Sequence, residues 1–179
     1  MKLKEPIVFI TGNMHKVKVT QRYIHVPMTH KKLDLMEIQS LDAKEVIEHK
    51  VKEAYRLLGE PVMVEDTSLT FHALGKLPGP FIKWFLEELG TEGLCDLLKE
   101  DRSATARVIF GLYDGKELHF CEGYIKGTIA DTPRGTNGFG WDPIFIPEGQ
   151  TKTHAEMTDK EFDEISIRRI ALEKLKKIL

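Results

Sequence analysis

Long apolar runs are missing from the sequence: stretches such as Ile7–Ile10 and Val62–Val64 span three or four residues, far short of the roughly 20 that a membrane-spanning helix needs. No signal-peptide pattern opens the chain, so neither a signal peptide nor a membrane partner is expected, and the sequence reads as that of a soluble, cytoplasmic protein. Cysteine is scarce. Cys95 and Cys121 have neither the density of a disulfide scaffold nor the spacing of a metal site, and read as reduced structural thiols. A strong excess of either charge is absent too: 26 Lys and Arg stand against 28 Asp and Glu, for a net charge of −2 and a pI near 6.4. That balance excludes a protein that holds nucleic acid by bulk electrostatics, and no stable nucleic-acid complex is expected. Internal repeats, low-complexity tracts and Pro/Ser-rich linkers are also lacking, so residues 1–179 read as one domain. The seven histidines form no H-E-x-x-H pattern and read as structural or exposed.

Hydrophobic residues make up 41% of the chain, enough at this length to bury about 70% of the unfolded surface. Charge is distributed unevenly: residues 1–33 carry seven Lys or Arg against one acid, Glu5, leaving 19 bases and 27 acids for the rest. The amino-terminal part is therefore expected to face an anion. Ile7–Ile10, ended by Thr11-Gly12-Asn13, predicts a buried strand turning into a helix that starts near Met14. Val46, Ile47, Val51, Ala54, Leu57 and Leu58 recur at helical spacing and predict a helix over about Ala43–Leu58, stopped by Gly59. Val62–Val64 predicts another strand, with Glu65, Asp66, Thr67 and Ser68 just beyond its end. Pro78-Gly79-Pro80 marks a turn, Phe81–Leu89 a helix ended by Gly90, and Leu94, Leu97 and Leu98 a further short one. Ala106–Tyr113 and Leu118–Ile129 predict two strands joined through Asp114-Gly115. Thr158 and Glu161 have the spacing of a capping box, opening a closing helix through Ile165, Ile170, Leu172, Leu175 and Ile178. Alternating elements of this kind give an α/β class with a mixed sheet.

Three clusters could do chemistry. In Thr11-Gly12-Asn13-Met14-His15-Lys16 a glycine lets the backbone approach a ligand, helix-start amides point outward, and Lys16 adds a full charge. Together these favour a phosphate, although an ordinary helix cap has the same form and the stretch is not a Walker A loop. Glu65 and Asp66, with Asp34 and Glu37 upstream, are hard oxygen donors suited to Mg²⁺, or simply solvated acids. In Gly138–Pro143, Phe139 and Trp141 could stack on a base while Asp142 accepts from ring N–H groups; the same residues could anchor a packed loop. Lys83, set among aromatic helix residues, extends to solvent by default.

Taken in chain order, Thr11-Gly12-Asn13 with Lys16, Glu65 to Leu69, Ala73 to Phe85, Phe139 to Phe145 and Ala155-Glu156-Met157 resemble the inosine triphosphatase (HAM1-like) family of pyrophosphatases acting on deaminated purine nucleotides, over nearly the whole length. The resemblance implies an elongated, two-lobed α/β fold, its mixed central sheet flanked by helices and a cleft between the lobes, usually as a homodimer. It also implies a Mg²⁺-dependent enzyme that hydrolyses ITP, dITP and XTP to the monophosphate and pyrophosphate, cleansing the nucleotide pool. On that likeness Thr11, Gly12, Asn13 and Lys16 meet the triphosphate, with Thr67 among the substrate-binding residues and Lys50 and Lys83 adding positive charge. Glu37 and Asp66 hold the metal; Lys16 and Asp66 are catalytic, Asp66 orienting or deprotonating the attacking water. Phe139, Gly140, Trp141 and Asp142 surround the base, helped by Ser166 and Arg168. A 6-oxo group would accept a hydrogen bond from Arg168, whereas the amino group of adenine would set donor against donor.

Three positions depart from the family's pattern. Val19 stands where the phosphate motif continues to a glutamate, Ile167 replaces a histidine between Ser166 and Arg168, and Phe162 replaces a lysine. Lys160 cannot take over from that lysine on a helix, because two residues turn it about 200° around the axis. The alternative reading is a non-catalytic module on the same fold that binds a purine nucleotide or RNA. The retained Lys16, Glu37, Asp66 and Lys83 argue against it, since a mere binder needs no full metal and phosphate set.

Overall fold

In the computed structural model, which describes residues 6–179, strand β1 (Ile7–Ile10) is buried along its whole length. Lys2, Lys4 and Glu5 of the basic amino-terminal segment lie outside the described residues. An unbroken apolar strand of this kind fits a parallel position with both faces covered. β2 (Met28–Lys31) and β3 (Val62–Phe71) both run parallel to it, in the registers Ile7↔Met28 and Val8↔Val62. Parallel neighbours need long crossovers, and α1 (Met14–Tyr23) and α2 (Ala43–Leu58) supply them. The strand order is β2-β1-β3-β5-β6-β7, with β4 (Pro78–Gly79) paired antiparallel to β3. β5 (Ser103–Tyr113) and β6 (Leu118–Ile129) form the hairpin, and β7 (Phe145–Pro147) pairs antiparallel with β6. The sheet is therefore mixed, and α3 (Ile82–Asp96), α4 (Asp159–Glu164) and α5 (Ile167–Lys176) complete the α/β fold.

By its internal contacts the chain forms two compact units. The first comprises the chain up to Asp66, Val108–Gly123 and Arg168–Leu179; the second comprises Thr67–Arg107 and Tyr124–Ile167. In the first unit, Val8, Ile10, Val62, Val64 and Ile109 share a core with Ala43, Ile47, Val51 and Ala54 of α2. Alternation along a strand puts Phe9 and Phe110 on the opposite face, where their rings meet at 6.3 Å. α2 is capped at both ends as its sequence signals: Asp42 accepts the Lys44 amide, and Gly59, with φ 68°, closes it in the left-handed region. In the second unit Arg102 ties the end of α3 to the end of β6, donating from Nε to Ile129 O (2.8 Å), from Nη1 to Leu98 O (2.7 Å) and from Nη2 to Cys95 O (3.1 Å).

Several boundaries differ from the sequence reading. β3 does not stop at Val64: it runs to Phe71, so Glu65 and Asp66 lie inside a strand. Ionic partners described below make that burial possible, and a hydropathy pattern cannot show them. The closing helix is two, α4 and α5, broken at Ile165 (φ −113°, ψ 7°), although the capping box of Thr158 and Glu161 is present. α3 is interrupted at Gly90 (φ 67°, ψ −178°), as the glycine signalled. β5 starts at Ser103 rather than Ala106. β2 carries half-buried and exposed residues, Met-Thr-His-Lys, and so has no apolar signature.

At Gly111 on β5, α2 packs close to the sheet: a Cβ there would lie 2.3 Å from Ile47 Cγ2 and 3.2 Å from Val51 Cγ1. Gly111→Ala is expected to cost about 1–3 kcal/mol through overpacking, read as a lower urea midpoint with unchanged slope. An unaltered midpoint would show that α2 shifts freely.

Candidate active site

The turn after β1 is organised by two side chains. Thr11 Oγ1 accepts the Asn13 amide at 3.0 Å, and Asn13 Oδ1 accepts the amides of His15 (2.9 Å) and Lys16 (3.4 Å). Asn13 is thus the helix cap, and the attraction for an anion here rests chiefly on charge rather than on those two amides. The stem of Lys32 lies over Gly12, where a Cβ would meet Lys32 Cδ at 3.2 Å. Lys32, which the motif reading missed, therefore adds a lysine to this turn. Its signal was only its place beside Lys31, whose carbonyl accepts the Thr11 amide at 2.9 Å.

Lys16 leads on to β3. Its Nζ lies 3.2 Å from Glu65 Oε1, and Arg168 donates to the same carboxylate from Nη2 (2.7 Å to Oε1) and Nε (3.1 Å to Oε2). The Glu65 side chain is 1% exposed. Burial alone would push its carboxyl up, but Arg168 and then Lys16 outweigh it and hold the group below its ordinary value, so Glu65 is ionised at neutral pH. Val19, one turn after Lys16 on α1, brings no acid. Arg168 is the base-reading candidate, and two of its donors are taken by Glu65.

Asp66 meets a different cation. Lys50 Nζ, on α2, lies 2.5 Å from Glu37 Oε1 and 3.6 Å from Asp66 Oδ1. Glu37 is carried on a segment pinned to the same helix, where Glu53 accepts the Met36 amide at 2.9 Å. Burial raises the Asp66 carboxyl, Lys50 and Lys16 lower it, Glu37 and Glu65 raise it again, and the outcome is a pKa above the ordinary one. The acids that share Lys50 are the two the resemblance offers as metal ligands. No group of three or more His, Cys, Asp or Glu that could hold a metal gathers among the described residues. Two hard oxygen donors fit Mg²⁺, which takes one or two carboxylates and completes its shell with water and phosphate oxygens.

The second unit holds the aromatic loop. Asp142 Oδ2 accepts the Phe139 amide at 2.8 Å, and Phe139 O accepts the Asp142 amide at 3.2 Å. Gly138, with φ 74°, has to be glycine, since a Cβ would sit 2.3 Å from Asp142 Oδ2. Phe139 is 53% exposed, while Trp141 packs edge-on to Phe145 at 5.6 Å. His154, which the sequence reading left as structural, is buried with Nδ1 3.3 Å from Asp142 Oδ1, and Phe162 packs edge-on to its ring at 4.8 Å. Lys83 is exposed, 3.9 Å from Glu87 and over the Trp84 ring at 4.8 Å. Ser166 is buried in this unit, and Thr67 continues β3 into it.

Of the residues expected at the site, the structure groups Thr11, Gly12, Asn13 and Lys16 at one turn, Lys16 with Arg168 through Glu65, and Glu37 with Asp66 through Lys50. Phe139, Gly140, Trp141 and Asp142 form one loop.

Asp66 has a consequence for stability. A carboxyl whose pKa is raised on folding contributes stability below its unfolded pKa and loses it as pH rises through the folded value. Asp66→Asn is therefore expected to be more stable than the parent at pH 7. The gain should vanish below about pH 3.9, where the aspartate is protonated in both states. Urea midpoints across this range test it; a variant less stable at pH 7 would mean that pairing with Lys50 outweighs burial.

Residues 7–178 match the model of the Ham1 family. The chain is 45% identical to an inosine triphosphate pyrophosphatase of Yarrowia lipolytica, covering 97% of this chain and 95% of that protein. It is 44% identical to an inosine triphosphate pyrophosphatase 2 of Trypanosoma cruzi, covering 95% and 90%. Among solved structures, a HAM1 protein from Coxiella burnetii superposes with a TM-score of 0.86 at 28% identity, over 97% of both chains. A protein from Mycobacterium abscessus described as a nucleoside-triphosphatase and dITP/XTP pyrophosphatase superposes with a TM-score of 0.78 at 26% identity, over 96% and 98%. Matched along almost its entire length by sequence and by fold, this chain belongs to the Ham1 family.

Proposed function

We propose that the protein is a nucleoside triphosphate pyrophosphatase that hydrolyses deaminated purine nucleotides, ITP, dITP and XTP, to the monophosphate and pyrophosphate. The observation that carries this reading is the charge pattern of the first unit: a cationic group of Lys16 and Arg168 on Glu65, and an anionic pair, Glu37 and Asp66, on Lys50. The first suits a polyphosphate and the second a divalent cation. The full-length relatives named inosine triphosphate pyrophosphatase support an enzyme over the non-catalytic alternative.

Hydrolysis between the α- and β-phosphates needs positioning and charge neutralisation more than covalent help. Thr11, Gly12, Asn13 and Lys16 bind the polyphosphate, and Lys50, Lys83 and Thr67 contribute to substrate binding. Glu37 and Asp66 hold Mg²⁺, which when bound neutralises phosphate charge. Asp66 orients the attacking water and accepts its proton at a carboxylate oxygen. The new bond forms between water oxygen and the α-phosphorus as the bond to the bridging oxygen breaks, and that oxygen leaves with pyrophosphate. Phe139 and Trp141 stack on the base, Gly140 lets it approach, Asp142 and Ser166 fix its edge, and Arg168 donates to the 6-oxo group. Adenine's 6-amino group would confront that donor. The proposal extends to a homodimeric, cytoplasmic enzyme. No helix of the described residues is long and apolar enough to cross a membrane.

Incubation of the pure protein with Mg²⁺ and ITP, XTP, dITP, GTP or ATP tests the reading: pyrophosphate is expected from the first three. Orthophosphate instead would place the protein in another phosphatase class, and no product from any would defeat the enzyme reading. Asp66→Asn should lower kcat by roughly 10²–10⁴-fold, the span of general-base contributions, while nucleotide still binds. Turnover like the parent's would show the carboxylate to be dispensable. Chelation of divalent cations should stop turnover reversibly.

A further inference from the structure

Glu65 is absent from the proposed machinery although it is the most buried acid of the first unit's charge clusters. We propose that Glu65 is a positioning residue that fixes both substrate readers of this unit, the phosphate-binding Lys16 and the base-reading Arg168, through one carboxylate. The inference rests on the proposed pyrophosphatase reading and adds to it a residue on which the two ends of the nucleotide jointly depend.

The geometry carries the argument. Glu65 Oε1 lies 3.2 Å from Lys16 Nζ and 2.7 Å from Arg168 Nη2, while Oε2 takes Arg168 Nε at 3.1 Å. Exposure of the three side chains is 1%, 21% and 10% for Glu65, Lys16 and Arg168. Both carboxylate oxygens therefore face cations inside the fold, an arrangement unlike that of a metal ligand or a water-facing base. Asp66, the next residue on β3, is 21% exposed, and its side chain points to the other face of the strand.

Such a cluster is a poor device for stability, because desolvation of buried charges offsets most of their attraction and an apolar replacement often serves as well. It is a good device for orientation. Arg168 offers its rigid fork bidentately, which fixes the plane of the guanidinium and the direction of its Nη1 donors. Lys16, on a flexible stem, receives a fixed anchor at the same oxygen.

Glu65→Gln and Glu65→Asp, as full-length protein with Mg²⁺, separate the possibilities. The readouts are pyrophosphate affinity by calorimetry and the ratio of kcat/KM for ITP over ATP. In Glu65→Gln both are expected to fall about tenfold or more, the scale of one lost charge-assisted hydrogen bond, with KM rising more than kcat falls. Lys16→Met should lower only pyrophosphate affinity, and Arg168→Lys only the ratio. Misfolding would instead lower kcat with KM and the ratio unchanged. Should Glu65→Gln lack a cooperative melt, Glu65→Asp keeps the charge but withdraws it by one methylene, and the same joint loss is expected in a folded protein. A folded Glu65 variant that keeps either property at the parent's level overturns the inference. A parent protein that fails to prefer ITP over ATP overturns the functional reading instead.

Discussion

A carboxylate inside a β-strand, among apolar neighbours, can be ionised only if cations come to it. β3 sets that requirement twice in succession, at Glu65 and Asp66, and three helices answer it. α1 sends Lys16, α2 sends Lys50, and α5 sends Arg168 from its first turn. These helices have apolar faces that would pack against the sheet in any case, but a smooth apolar contact tolerates sliding. An ion pair with a distance of about 3 Å does not. The two acids thus tie α1, α2 and α5 to β3, and a cluster proposed for chemistry also links the elements around it.

The two adjacent acids differ because their partners differ. Glu65 is outnumbered by cations, two to one, and its proton affinity drops. Asp66 shares its one close cation with Glu37, and burial raises its proton affinity. A strand is the element that permits this contrast, since consecutive side chains leave on opposite faces and enter separate surroundings. On a helix, neighbours only 100° apart would have shared one environment. An inert, cation-saturated anion and a proton-accepting one can therefore stand at consecutive positions of the chain.

How far this was legible in the sequence follows from what each signal depends on. The Ala43–Leu58 helix, the Asp114-Gly115 hairpin, the Gly90 break and the capping box of Thr158 rest on local rules, and they appear in the structure within a residue or two. The extent of β3 depends on Arg168, 103 residues away, and no local pattern carries that. β2 is a strand because β1 needs a partner, not because Met-Thr-His-Lys favours one. Lys32, His154 and Arg102 escaped notice for the same reason: a lysine stem over a glycine, a ring within a cluster and a guanidinium reaching carbonyls of α3 and β6 are relations no local pattern carries. The remaining site residues are proposed on the family motifs; residue spacing alone favoured an ordinary helix cap over a phosphate turn, and solvated acids over metal ligands.

The aromatic loop shows how two readings of one segment can hold together. Asp142 accepts the Phe139 amide on one oxygen and faces His154 with the other, so its carboxylate is spent largely on the loop itself, and Trp141 is a packing anchor. Phe139 is nonetheless 53% exposed, on a backbone held by that same carboxylate and by glycines with positive φ on either side. A ring that projects from a pinned backbone has already met most of the ordering cost of stacking. Asp142, which accepts the Phe139 amide, and Trp141, packed on Phe145, hold that backbone in place. Phe162 extends the same logic: where the family places a lysine, this chain packs a ring edge-on against His154. The orientation of Asp142 is held from within the fold, by the Phe139 amide and by His154, whose ring Phe162 packs against.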